Sequence, residues 1–202
     1  FGGEIAVGYL RKFFIYLLVS IFFFFKKKKN FVYIGGGKKG VQMFWKNIFP
    51  ATVTSLGTCS SAASMPVNME CCKKMGISDD IVDTTVSLGT SFHKDGSVIG
   101  SVFKIMFLVY LFNDVNNISM FKVMGIALVA TLLVTAVPIG GGTISEMLII
   151  TMLGYSVATL PILTIIATII DPPATVLNVV GDSSAAMMIS RFVDGKKWLK
   201  KN

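Results

Sequence analysis

Apolar residues along this chain come in long runs rather than in short alternation, and the interruptions between runs carry most of the polar chemistry. Ile5 to Phe25 would make a helix about 31 Å long, enough to cross a hydrocarbon core, and Lys26 to Lys29 stop it. The first segment is therefore 1–29, a transmembrane helix with a basic inner end. Asn30 to Lys39, with three consecutive glycines, predicts a loop over 30–40. Val41 to Leu56 predicts a helix too short to span, followed by the small, hydroxyl-rich TCSSAASMP at Thr58 to Pro66 and a second short helix ending at Lys73, Lys74 and Gly76. Helix, polar tip, helix over 41–76 is the pattern of a re-entrant hairpin, which requires protein around the tip.

The segment 77–113 opens on Ser78 and Asp79, either of which can cap a helix, and should break at SFHKDGS (Ser91 to Ser97). Gly96 weakens a helix there, and His93, Lys94 and Asp95 put three ionisable groups at mid-membrane depth. After an outer loop at 114–119, Met120 to Val137 and Ile144 to Leu153 flank PIGGGT, a second hairpin over 120–154. The span 155–195 is a last transmembrane helix punctuated by DPP at Asp171 to Pro173 and by Asn178 and Asp182; 196–202 is a basic cytoplasmic tail.

Composition agrees with a membrane chain. Of 202 residues 53% are hydrophobic and 15% charged, and mean hydropathy is +0.70. The net charge of +8 would raise nucleic acid as a partner in a soluble protein, but 14 of the 19 basic residues fall on the loop side that the hairpin topology makes internal. Membrane lipid, and no nucleic acid, is the partner implied. Cys59, Cys71 and Cys72 fit neither a disulfide framework nor a metal spacing, so free thiols are expected. With Phe1 in place of Met and no signal peptide evident, the chain reads as interior to a longer protein. Opposed units with interrupted helices point to a secondary transporter with its site near the midplane. The fold class expected is an all-α membrane protein, a transport domain with two re-entrant hairpins and broken transmembrane helices.

Four strings sharpen this. TCSSAASMPVNM (Thr58 to Met69), LGTSFHKDGS (Leu88 to Ser97), VPIGGG (Val137 to Gly142) and DPPATVLNVVGD (Asp171 to Asp182) stand in the order and spacing of the dicarboxylate/amino acid:cation symporters, the glutamate transporter homologues, which the chain resembles from about Ile5 onward. The resemblance covers the carboxy-terminal part of a member. It implies missing amino-terminal helices, a homotrimer for the full-length protein, a multi-pass place in the cell membrane, and Na⁺ as coupling ion, with no organic cofactor.

The same resemblance assigns roles by position. Substrate would meet Ser60, Ser61, Ser97, Val137, Asp171, Thr175 and Asn178, while Pro138, Gly140, Gly141 and Gly142 would let the second hairpin act as a gate. One sodium site would use Asp182 with Gly89, His93 and Asn178; a second, Ser91 with Thr131, Leu132 and Val134; a third, Asp95 with His93. Physics supports the acidic members directly. Each aspartate at a helix centre costs about 2.5 to 3.5 kcal/mol unless paired or hydrated, and captured cations compensate.

Three departures bear on specificity. Ala174 stands where acidic-substrate members carry an arginine, so no bidentate clamp exists there for a side-chain carboxylate, and a small amino acid or carboxylate solute is expected over a strongly acidic amino acid. His93 replaces an asparagine and Lys94 a methionine. An ammonium near Asp95 could stand in for a bound cation, and an imidazole could carry H⁺ as a further coupling ion. Two other readings compete: a truncated family fragment without transport of its own, and an intramembrane serine hydrolase using Ser61, His93 and Asp95, which lacks a G-x-S-x-G elbow.

Overall fold

The computed structural model describes residues 2–114, 117–134, 141–196 and 198–200, which form helices and turns with no strand among them. The all-α expectation holds. Helix α1 runs Gly2–Asn47 and contains one non-helical residue, Gly37, at φ 62° and ψ −156°. The loop expected at 30–40 is therefore helix except at that residue. The glycines serve close packing instead: a Cβ on Gly35 would lie 2.8 Å from the Met187 carbonyl oxygen, and one on Gly36 would lie 2.8 Å from Leu199. Small residues let two helices approach, and the contact outweighs the helix penalty of glycine.

Helix α2 spans Phe49–Thr58 and α3 spans Ser61–Lys74. Pro50, in the first turn of α2, has no N–H to continue α1, so this helix starts at Phe49 rather than at residue 41 as expected. Ser60 caps α3 by accepting from the Ala63 N–H at 3.2 Å, which shortens the polar tip and leaves Pro66 inside the helix. Asn68 donates to the Val179 carbonyl at 3.2 Å and accepts from Ser183, tying α3 to the last helix through buried groups.

Helices α4 (Asp79–Phe92) and α5 (Asp95–Leu111) are separated by His93 and Lys94. Ser78 occupies the capping position of α4 but makes no capping bond; its hydroxyl meets Asp194 at 3.4 Å. Gly96 lies inside α5, where a Cβ would run into the Ala174 carbonyl. It permits close approach rather than breaking the helix. Helix α6 spans Met120–Leu132 and α7 spans Gly141–Leu153, so the first leg of this pair stops short of Val137 and the second begins ahead of Ile144.

Helix α8, Leu160–Val193, follows a 3₁₀ turn at Val157–Thr159 and packs against α1 to α5 and α7. It continues through Pro172 and Pro173, although neither can donate to the carbonyl four residues back. Two cores form along it. Its second half joins α1 to α4 through Val179, Val180 and Met187, while its first half joins α5, α6 and α7 through Leu163. The stretch Val157–Val193 is long and apolar enough to cross a membrane. Part of the expected basic tail is not solvated: Trp198 and Leu199 sit in the first core, the indole N–H donates to the Gly35 carbonyl at 2.9 Å, and Lys39 donates to the Leu199 carbonyl. All three cysteines are free thiols.

Candidate functional site

The N-terminal turn of α3 has N–H groups without helical partners, which favours an anion at that end. Ser60, Ser61 and Ala62 at this start line a cavity of about 490 Å³. The opposite wall comes from α8, with Asp171, Thr175 and Asn178, and the start of α7 adds Gly142 and Thr143. The starts of α3 and α7 thus face one space beside Asp171. Ser97, Thr131 and Val134 also line it; Leu132 is exposed, and Ser91 is not part of the lining. Gly141 is the first residue of α7, while Val137, Pro138 and Gly140 lie outside the described residues.

Asn178 is buried, and its amide is already engaged. Its Oδ1 accepts from the Gly96 N–H at 2.8 Å and the Ser97 N–H at 3.4 Å, and its Nδ2 donates to the Ser97 hydroxyl at 2.8 Å. A side chain of α8 therefore caps the start of α5 and holds the interruption at His93 and Lys94 in place. Thr175 turns its hydroxyl back to the Asp171 carbonyl at 2.8 Å. Thr131 pairs with Ser101 at 3.1 Å.

Two charged residues in this wall were not singled out from the sequence. Lys104, on α5, places Nζ 2.7 Å from Asp171 Oδ1 and 3.6 Å from Glu146 Oε1. Glu146, on α7, accepts from the Thr164 hydroxyl at 2.7 Å. Lys104 and Glu146 are buried, while the Asp171 side chain keeps 31% of its exposure. Each was the one charged residue of an apolar stretch, SVFKIMFLVY or TISEMLIITM, and the rule that flagged Asp95 would have flagged both.

A second charged group surrounds Asp182, whose side chain is 1% exposed. His93 Nδ1 lies 2.9 Å from its Oδ1; a carboxylate only accepts, so Nδ1 carries the proton. His93 Nε2 lies between Lys28 Nζ at 3.0 Å and Asp95 Oδ2 at 3.2 Å. Without a proton it accepts from Lys28, and with one it donates to Asp95. Lys28 also donates to Asp95 at 3.3 Å. The cation beside Asp95 is thus Lys28 and not Lys94, and Lys28 is buried rather than part of an exposed basic inner end. Asp182 Oδ2 has no hydrogen-bond partner among the described residues, and Gly89 presses against the other oxygen so closely that a Cβ would collide with it. A buried, unpartnered carboxylate oxygen suits a small hard cation such as Na⁺.

The match to known proteins follows the same stretch of chain. Residues 2–192 match the sodium:dicarboxylate symporter family. The chain belongs to that family. It is a family of membrane-integral transporters, not of enzymes. The excitatory amino acid transporter of Caenorhabditis elegans is 26% identical over 159 residues, covering 77% of this chain and 31% of its own. Excitatory amino acid transporter 2 of Homo sapiens is 24% identical over 190 residues, 92% of this chain and 33% of its own. Neutral amino acid transporter A of Homo sapiens is 26% identical over 157 residues, 77% of this chain and 29% of its own. The chain spans about a third of the length of the curated relatives it matches.

The family removes the hydrolase reading, and the geometry agrees. Both imidazole nitrogens of His93 face Lys28, Asp95 or Asp182, and Ser61 lines a cavity that His93 does not. A serine nucleophile would need the imidazole beside it.

Proposed function

We propose that this chain is the core of a transport domain in a secondary active symporter, moving a small amino acid or carboxylate solute with Na⁺ by alternating access. The observation that carries the reading is the convergence of two helix starts, Ser60 and Ser61 at α3 and Gly142 at α7, on a cavity walled by Asp171. A solute carboxylate would take the N-terminal turn of α3, where the helix dipole and two hydroxyls favour it. Sodium would enter beside Asp182, whose unpartnered oxygen needs a cation, and neutralising that charge would lower the cost of moving the loaded domain. His93 would carry H⁺ as a second coupling ion.

The pair α6 and α7 would be the gate. Gly142 lies against Asp171, so a Cβ there would come within 3.2 Å of Oδ2, and swinging this end away would open the cavity. Both hairpins would be re-entrant, and exposed Phe49, Phe92, Phe121 and Phe192 would face lipid or the amino-terminal helices that the relatives' greater length implies. The assembled protein would be a homotrimer in the cell membrane. Ala174 removes the arginine that would hold an acidic side chain, so glutamate and aspartate would be poor solutes.

Uptake by the full-length protein in proteoliposomes, with and without an inward Na⁺ gradient, tests the reading. Concentrative, Na⁺-dependent accumulation is expected. Accumulation that ignores Na⁺ would overturn it, and uptake by the full-length protein but not by the 202-residue chain alone would favour a family fragment that does not transport by itself, the second reading that the short coverage of the relatives supports.

A further inference from the structure

Two basic stretches that lie 160 positions apart in the chain meet at one end of the bundle. GGGKKG (Gly35 to Gly40) reads in sequence as a loop and GKKWLKKN (Gly195 to Asn202) as a solvated tail, yet the structure joins them. The Trp198 indole donates to the Gly35 carbonyl at 2.9 Å, Lys39 Nζ donates to the Leu199 carbonyl at 3.0 Å, and a Cβ on Gly36 would lie 2.8 Å from Leu199 Cδ1. Trp198 and Leu199 are buried in this glycine notch. Their seating fixes the tail backbone beside Lys38 and Lys39. Between them the two stretches carry six lysines, Lys38, Lys39, Lys196, Lys197, Lys200 and Lys201, and no acid. Lys38, Lys39 and Lys196 are exposed, and no ion pair of theirs is found among the described residues. Asp194, the nearest acid in sequence, meets the Ser78 hydroxyl at 3.4 Å. Gathered like charges repel one another, and an anion bound among them relieves the repulsion.

The place in the fold says which anion. Lys196 stands three residues beyond Val193, where the membrane-crossing stretch Val157–Val193 ends. Lys28 reaches Asp182 through His93, and Gly35 packs on the Met187 carbonyl, so α1 and α8 run in the same sense and Lys38 and Lys39 approach the level at which α8 ends. Just ahead of the lysines come exposed apolar side chains, Tyr33 and Ile34 on α1 and Phe192 and Val193 on α8. A cationic rim above an apolar wall matches a phospholipid, with phosphate at the rim and acyl chain along the wall; free phosphate or a nucleic acid would use the rim alone. We propose that GGGKKG and the seated tail form one binding site for the headgroup of an anionic phospholipid in the leaflet at this end, with Trp198 positioning the tail lysines opposite Lys38 and Lys39. The site does not depend on the reading of the cavity beside Asp171.

Titration of the full-length protein in detergent with dioctanoyl phosphatidylglycerol and with dioctanoyl phosphatidylcholine, read by native mass spectrometry, tests the proposal. The anionic lipid should bind about tenfold tighter or more, and inorganic phosphate at the same concentration should not displace it. Lys38→Gln with Lys196→Gln, one exposed lysine from each stretch, should lower that affinity by about 10- to 30-fold. Trp198→Ala should lower it by about fivefold although no charge is lost, because the tail lysines are then untethered. Lys73→Gln with Lys74→Gln removes two charges already paired with Asp79 and Glu70 and should change it by less than about twofold. If Trp198→Ala does not fold, the Lys38 and Lys196 variant, altered only at exposed positions, decides alone. Equal affinity for the two lipids, displacement by inorganic phosphate, an unchanged affinity in the Lys38 and Lys196 variant or in folded Trp198→Ala, or an equal loss in the Lys73 and Lys74 variant would overturn the proposal. Poly(U) RNA that competes the lipid off at equal phosphate concentration would assign the lysines to nucleic acid and overturn it as well.

Discussion

Two buried lysines, Lys28 and Lys104, each meet carboxylates, and the two meetings differ in what they leave open. Lys104 sits between Asp171 and Glu146, and Thr164 meets the other oxygen of Glu146, while the second oxygen of Asp171, on a side chain 31% exposed, takes no hydrogen bond among the described residues. Lys28 reaches Asp95 and His93, yet Asp182, one step further along the same group, keeps an unpartnered oxygen. The first cluster sets two carboxylates against one ammonium with the free oxygen of Asp171 part-exposed, and the second leaves a fully buried oxygen of Asp182 without a partner among the described residues. A cation at Asp182 would relieve a fully buried charge, whereas at Asp171 water and Lys104 already share that task, and in this the proposed ion and solute sites differ.

The first way to break this contrast is Lys104→Met. It strands buried Glu146 and part-buried Asp171 without a cation, and a loss of about 3 to 5 kcal/mol is expected, read as a lowered unfolding midpoint in detergent. Glu146→Gln on the same background should restore part of it, because the remaining amide is neutral. The next test is on the open side. Asp182→Asn should weaken Na⁺ dependence by about 10- to 100-fold, read as the Na⁺ concentration for half-maximal uptake, with little effect on the order of solute preference. An unchanged Na⁺ dependence would mean that the unpartnered oxygen has another purpose.

Smaller effects sharpen the frame around both clusters. Gly96→Ala drives a Cβ into the Ala174 backbone carbonyl and disturbs the contact that keeps α5 against α8; about 1 to 3 kcal/mol of destabilisation is expected by the same unfolding measurement. Lys28→Met should cost less, about 1 kcal/mol, since the Asp95 side chain is 44% exposed and water can replace the lost cation. Its more telling consequence is a steeper dependence of uptake on Na⁺, because Asp95 then lacks its tethered charge. A slope identical to wild type would show that Lys28 does not compete with the ion.

Much of the framework was legible beforehand because it is local. The interruption at His93 and Lys94 coincides with the polar string in which it was expected, whereas the helix starts at Pro50 and Ser60 differ from the expected leg from residue 41 and the tip reaching Pro66, although a missing N–H and a cap are equally local signals. The glycine run at Gly35 to Gly37 predicts a loop, and the helix found there, interrupted only at Gly37, has a physical reason. Glycine signals either a turn or close packing, and only the presence of Met187 and Leu199 against Gly35 and Gly36 decides between them. Lys26 to Lys29 read in sequence as one charged stop, yet Lys28 is buried against Asp95 and His93.

Run length and hydropathy determined by themselves that the chain is helical and membrane-like, and the spacing of four short motifs determined its family, since both properties are carried by neighbouring residues. Which cation meets which carboxylate was decided only by tertiary structure. Lys28 and Asp95 lie 67 positions apart, and His93 and Asp182 lie 89 apart. Coulomb attraction acts over a few ångströms of space, and only the packing of α1, α5 and α7 onto α8 brings such distant positions within that range.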